Sequence, residues 1–272
     1  MKPTTAFARN LAKEEEISRI LANKGLQNIA VFAYDLTDST NTRAKLFAER
    51  SVAGVTPAIF ISRAQSAGRG TRARAFESPV GGLYMSILLP KSTLNGNPQS
   101  LTSYCAVIAA RACEAATGGK VSPKIKWVND LVVSDRKLGG ILTESAFTDS
   151  GERFFIVGIG INLFPAPHSE PVLGLMTTLC DEGASISDTE LLSYITAEFF
   201  SSLDTFDSDS VTREYVERSS LIGREVEISG TEHSGFATVH SIDYDRAILL
   251  KFSDGSIKRY YSGDVSIRPK GD

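Results

Sequence analysis

The sequence predicts an α+β protein, in which a large domain with a mixed or antiparallel sheet and packed helices precedes a small all-β barrel. Three observations lead there. Over residues 1–218, helical and strand patterns interleave without a regular β-α alternation, which argues against a doubly wound parallel sheet. After residue 219 the pattern changes to short, alternating, turn-bounded runs. Two of those runs flank Asp254-Gly255, a strong hairpin signal. The domains are therefore drawn as 1–218 and 219–272, with the boundary near Ser219–Leu221.

Each element follows from its pattern. Phe7, Leu11, Ile17, Ile20 and Leu21 fall near helical spacing, and Gly25 is a stop signal, so 7–24 is expected as a helix. Residues 28–36 read as a strand, 38–50 as a helix behind polar N-cap candidates, and 56–65 and 81–90 as strands. Residues 100–117 form an alanine-rich helix closed by Gly118-Gly119, with Cys105 and Cys113 in its core. Residues 124–145 read as two strands around Ser134-Asp135, and 153–163 as another. An amphipathic helix over 188–206 is continued by a second reaching Arg218. The runs "REVEISG", "FATVHSI", "AILLKFS", "IKRYYSG" and "VSIRP" supply the strands of the tail.

Composition narrows the function. The 272 residues carry a formal net charge of -3, with 42% hydrophobic and 22% charged residues, which is ordinary for a soluble globular protein. That charge gives no general affinity for nucleic acid. Three cysteines without a C-x-x-C pair suit reduced thiols in a cytoplasmic protein. No apolar run reaches the length of a membrane span, and the first twenty residues lack a signal-peptide core.

Against this background one segment stands out. "RAQSAGRGTRAR", residues 63–74, holds four arginines and no acid. Glycines let backbone approach a ligand, and guanidinium groups match phosphate or carboxylate oxygens. The segment is neither a Walker loop nor a Rossmann fingerprint. It reads equally as an anion cradle or as a solvated basic loop. Three further strand ends carry glycines or basic and amide groups: "KWVNDL" with Lys126, Trp127, Asn129 and Asp130, "DRKLGGIL" with Lys137, Gly139 and Gly140, and "GIGIN" with Asn162. Together they supply what a nucleotide site without a Walker loop needs.

The order "DSTN", "GRGTRARAFESPVGGLYMS", "KWVNDL", "RKLGGILTE", "GIGINL", then a small β domain, resembles the biotin protein ligases from about Val31 to Pro269. The resemblance implies a class II synthetase-like catalytic domain and an SH3-like C-terminal barrel. It implies that biotin and ATP, with Mg²⁺, give biotinyl-5′-AMP, and that a lysine of a biotin carboxyl carrier protein domain then takes the biotinyl group. By resemblance, Ser39, Thr40, Asn41 and Gln65 bind the biotin head, whose neutral ureido ring suits hydroxyls and amides. Arg69, Gly70, Thr71 and Lys137 sit where the family contacts biotin and adenylate, with Gly68, Gly70, Gly139 and Gly140 opening the backbone to ligand. Arg69, Arg72, Arg74 and Lys137 are the candidate catalytic cations. Phe76, Asn129 and Asn162 fall on the nucleotide side, and Asp130 either orients Lys137 or binds the metal.

The sequence departs from the family's pattern at Thr71 in place of an arginine, Ala73 in place of a glycine, Val128 in place of a proline and Gly82 in place of an asparagine. The stretch before the first motif strand holds one helix, whereas a DNA-binding module needs three, so no repressor role is expected. A homodimer is compatible with the resemblance. The competing readings are a lipoate–protein ligase, which has less use for polar head ligands, and a biotin or nucleotide sensor without turnover. Residues 66–76 and 163–177 are expected to order on ligand binding.

Overall fold

The computed structural model describes residues 7–51, 55–230, 235–262 and 265–269. Helix α1 (Leu11–Ala22) starts four residues later than the sequence pattern suggests. The reason is local. Asn10 caps it by accepting from Lys13 N at 3.0 Å, while Asn10 N donates to Ala33 O and Arg9 bridges Tyr34. Residues 9–10 thus run as extended chain along β1 (Ala30–Thr37), and Phe7 falls outside the helix.

Strand β1 runs through α2 (Thr40–Glu49) into β2 (Ala58–Gln65), its parallel neighbour. Among the described residues this is the one parallel strand pair in the main sheet. β3 (Gly82–Pro90) pairs antiparallel with β2, and helix α3 (Leu101–Ala116) follows. Cys105 and Cys113 are fully buried in α3, and burial pushes the Cys113 thiol up to about 12.

The segment expected as two strands makes three: β4 (Lys124–Lys126), β5 (Asp130–Val133) and β6 (Arg136–Phe147). A three-residue strand is too short to show a period, so the reversal over 127–129 was hidden. Ser134 and Asp135 both take left-handed φ, 49° and 63°, as a two-residue hairpin turn requires. β7 (Arg153–Asn162) completes a seven-stranded mixed sheet of order β1-β2-β3-β7-β6-β5-β4.

After the short α4 (Glu170–Leu173), α5 (Asp188–Ser201) and α6 (Asp209–Glu217) begin at Ser187 and Ser208, whose side chains accept from Glu190 N and Val211 N. The expected helix over 188–206 ends at Ser201. There the hydroxyls of Ser201 and Ser202 both donate back to Glu198 O, a local competition that favours helix ends. α3 packs between the sheet and α5 and α6, and its buried side chains form the centre of the core.

The chain then enters a second sheet: β8 (Glu225–Ser229), β9 (Gly235–Ile242), β10 (Ile248–Lys251), β11 (Ile257–Tyr260) and β12 (Ser266–Pro269), antiparallel in the order β11-β10-β9-β8-β12. Gly255, with φ 85°, turns the β10–β11 hairpin at the expected Asp254-Gly255. Several hydrogen bonds tie this part of the chain to the first. Residues 218 and 220 bond backbone to backbone with Ile125, Trp127 Nε1 donates to Arg246 O at 2.8 Å, and Arg246 Nε donates to Ser103 Oγ at 2.9 Å. Among the described residues no helix is long and apolar enough to cross a membrane.

Candidate functional site

A cleft of about 140 Å³ opens over one end of the main sheet. One wall comes from α2, β2 and β3. Ser39, Thr40 and Asn41 all line the cleft and are each only 3% exposed. They sit at the start of α2, where the chain turns out of β1.

Buried polar groups are costly unless bonded, and here they are bonded. Gln65 Oε1 accepts from Thr40 N at 2.8 Å, and its Nε2 donates to Ser78 Oγ at 2.9 Å. Ser86 Oγ lies 2.7 Å from Thr40 Oγ1 and 2.6 Å from Asn41 Oδ1. Gly158 makes room for this network: a Cβ there would stand 2.3 Å from Asn41 Oδ1. Tyr84 also lines the wall and donates to Pro79 O at 2.8 Å. Burial pushes its phenol up, so it stays a neutral donor.

The facing wall carries charge. Arg69, Gly70, Thr71 and Arg74 line it from the arginine segment and Phe76 from just beyond, with Asn129 from the turn before β5 and Asp130, Lys137 and Gly140 from β5 and β6. Arg69 pairs with Glu144, which also accepts from Asn41 Nδ2 at 2.8 Å. Lys137 Nζ lies 2.7 Å from Asp130 Oδ1 and 5.6 Å from the centre of the Phe76 ring. Asn129 Nδ2 donates to Ile141 O at 2.6 Å, tying the turn to β6.

A bulge aims Lys137. The β5–β6 register shifts between Leu131 and Val132, so that Leu131 faces Gly139 while Val132 faces Lys137. In an unbroken strand, residues three apart point to opposite faces. Here Leu138 is buried in the core, and a Cβ at Gly140 would lie 3.5 Å from Lys137 Nζ. The bulge therefore puts Lys137 and Gly140 on the same side, facing the cleft.

Several expected residues have other partners. A Cβ at Gly68 would meet Phe76 O at 2.3 Å, and one at Gly139 would meet Gly160 O at 2.3 Å. These two glycines serve close crossings within the protein, and neither lines the cleft. Arg72 takes a left-handed φ of 57° and donates to Val265 O at 2.7 Å, which turns its side chain toward the second sheet. Asn162 is buried, and its amide donates to Thr177 O at 3.2 Å and Lys137 O at 3.4 Å. Among the described residues there is no group of three or more metal-ligating side chains. Asp130 is the one acid of the expected set in the cleft.

Glu144 and Ser86 were not singled out from the sequence, and the two glycines of "GIGIN" were noted only as opening a strand end. The glycine pair had a signal: Gly158 and Gly160 lie two apart and so share a face of β7. A Cβ at Gly160 would stand 2.7 Å from the Phe76 ring.

This arrangement sets a buried wall of neutral hydroxyls and amides opposite a wall that carries cations. Residues 33–162 match the model of the biotin/lipoate A/B protein ligase family. The chain is 29% identical over 214 residues to the bifunctional ligase/repressor BirA of Escherichia coli, a match covering 76% of this chain and 65% of that protein. It thus spans just under two thirds of the length of that relative. It is 28% identical to the biotin–[acetyl-CoA-carboxylase] ligase of Paracoccus denitrificans, covering 79% of this chain and 91% of that one. The structure of the biotin protein ligase from Aquifex aeolicus in complex with biotin and ATP superposes with a TM-score of 0.73 at 24% identity, over 88% of this chain and 99% of that one.

Proposed function

We propose that this protein is an ATP-dependent biotin–protein ligase. A biotin carboxylate oxygen attacks the α-phosphorus of ATP, the α–β P–O bond breaks, and pyrophosphate leaves. The ε-amine of a carrier lysine then attacks the biotinyl carbonyl. A C–N bond forms, the acyl–phosphate C–O bond breaks, AMP leaves, and the amine loses its proton. The reading rests on one observation: the buried amide and hydroxyl wall and the paired cations line the same cleft.

The chain's residues supply positioning and charge. Ser39, Thr40, Asn41 and Gln65 hold the neutral head through donors and acceptors fixed in advance. Arg69, Arg74 and Lys137 bring two anions together and stabilise the charge that builds at the α-phosphate. Phe76, with Asn129, forms the adenine side. Mg²⁺ arriving with ATP would neutralise phosphate charge, and the single carboxylate of Asp130 suits an ion that keeps most of its ligands from nucleotide and water. Gly68, Gly139, Asn162 and Arg72 act indirectly in this scheme, by shaping the backbone around the cleft.

The acceptor is proposed to be a biotin carboxyl carrier domain of a biotin-dependent carboxylase. The test is transfer of labelled biotin to such a domain in the presence of ATP and Mg²⁺. Label on the carrier lysine is expected. Failure of label to reach a competent carrier, with biotin and ATP both bound, would leave a sensor without turnover.

A further inference from the structure

Lys137 is held by more than its own strand. Its N–H donates to Leu175 O at 2.8 Å, and its carbonyl accepts from Thr177 N at 2.9 Å. These bonds bridge Lys137 to Met176. The backbone that presents the Lys137 ammonium is thus clamped by the segment 163–177. That segment has little regular structure of its own, with three prolines and a single four-residue helical turn, α4. At its start Leu163 N and Phe164 N donate to Gly81 O.

Its middle is gripped by one acidic side chain from elsewhere. The Glu77 carboxylate accepts from Ser169 N at 2.9 Å and from Ser169 Oγ, and it lies 3.2 Å from His168 Nδ1. The His168 side chain is 4% exposed, so it is a packed partner and not a passing surface contact. The Ser169 hydroxyl and amide hold the Glu77 carboxyl below its ordinary range. Glu77 directly follows Phe76, whose ring faces Lys137 Nζ. A closed path therefore runs from the cleft wall through Glu77 to residues 168–169, along the segment to Leu175 and Thr177, and back to Lys137.

We propose that Glu77 is a positioning residue for Lys137: through Ser169 and His168 it sets the 163–177 segment in the register that clamps the Lys137 backbone. It touches no reacting atom. The catalytic consequence rests on the ligase reading, but the clamp itself does not.

The experiment compares Glu77→Ala and Glu77→Gln in the full chain by amide hydrogen exchange without substrate, and by biotin-dependent ATP–pyrophosphate exchange. A hydrogen bond to a charged group justifies an expected change of about tenfold, reduced in the glutamine variant, which keeps one acceptor oxygen. Glu77→Ala is expected to speed exchange at Ser169, Lys137 and Thr177 and to lower kcat, with the KM for biotin within about twofold of wild type. Glu77→Gln is expected to lie between. Ser169→Ala, which removes one of the donors and leaves the acid, provides a milder break if Glu77→Ala fails to fold.

Unchanged exchange at Lys137 and Thr177 in a folded variant would overturn the proposal. So would faster exchange with an unchanged kcat. If the wild-type protein itself shows no biotin-dependent pyrophosphate exchange, the ligase reading fails, and the amide exchange alone decides whether Glu77 sets the clamp.

Discussion

The wall built from α2, β2 and β3 and the wall built from the arginine segment, β5 and β6 hold their polar groups by opposite means. In the first, Thr40, Asn41, Gln65 and Ser86 are joined by neutral hydrogen bonds, and Thr40, Asn41 and Ser86 are almost wholly out of water. Rearranging them would strand buried donors or acceptors, at about 1–3 kcal/mol each. In the second, the side chains of Arg69 and Lys137 are 41% and 38% exposed, and each is paired with an acid. Ion pairs at that exposure contribute about 0–1 kcal/mol, so an incoming phosphate can replace the acid at little cost. The amide wall is suited to recognise a fixed head group, and the cationic wall to change partners as pyrophosphate leaves.

The largest effect is expected on the cationic wall. Lys137→Ala should lower adenylate formation by about 10²–10³ while leaving the thermal midpoint near wild type, because the lost group acts mainly as charge develops. Pyrophosphate exchange and a melting curve on the same preparation check both halves. Wild-type exchange would remove Lys137 from the chemistry.

The amide wall should respond in binding instead. Gly158→Ala removes no polar group, yet its Cβ would lie 2.3 Å from Asn41 Oδ1. Overpacking of this kind costs about 1–3 kcal/mol, so biotin affinity should fall by about five- to a hundredfold. Asn41→Ala should weaken biotin by a similar factor. Calorimetric titration distinguishes this from an effect on turnover, which would leave the affinity intact.

How much of this was legible beforehand differs between the walls. Ser39, Thr40, Asn41 and Gln65 could be picked out because the family resemblance gave them roles, and Lys137 because several strand ends with glycines and basic or amide groups occur together. Ser86 was hidden inside "LYMSILLP", where it reads as a member of an apolar strand. Glu144 and Gly158 gain meaning only from Arg69 and Asn41, which are far away in the chain. Gly68 and Gly139 were read as openings for ligand, but a glycine pattern does not tell whether the close neighbour is ligand or protein backbone. Arg72 and Arg74 differ by two positions, yet only Arg74 lines the cleft, since the left-handed turn at Arg72 sends it to Val265. The fold was clearest where periods were long. It was lost at β4, with three residues, and at α1, whose start is fixed by Asn10 and by pairing with β1.

A smaller effect is expected at Thr71. A neutral hydroxyl there lines the cationic wall where the family pattern places an arginine. Thr71→Arg should slow release of preformed biotinyl-adenylate by about tenfold, the value of one charge-assisted hydrogen bond. Rapid-dilution dissociation rates test this. Equal rates for both proteins would mean that Arg74 already fills the role.

The smallest effect separates exchangeable pairs from structural ones. Arg218 hydrogen-bonds Glu114 through both carboxylate oxygens at 2.8 Å and holds its carboxyl below the ordinary value of 4.5. A depressed folded value means this contribution is present above pH 4.5 and is lost as pH falls through the lower folded value. Arg218→Ala should therefore lower the thermal midpoint slightly at neutral pH, with the difference from wild type shrinking on acidification below that range. Melting curves between neutral and acidic pH check it. A constant difference would show that the pair contributes by packing alone.

The central claim, that the two walls serve one reaction, is tested most directly by ATP–pyrophosphate exchange measured separately with biotin and with lipoate. Exchange that requires biotin, and that lipoate does not support, is the expected result. Exchange that proceeds equally well with lipoate, or without either acid, would contradict the assignment of the amide wall to a ureido head.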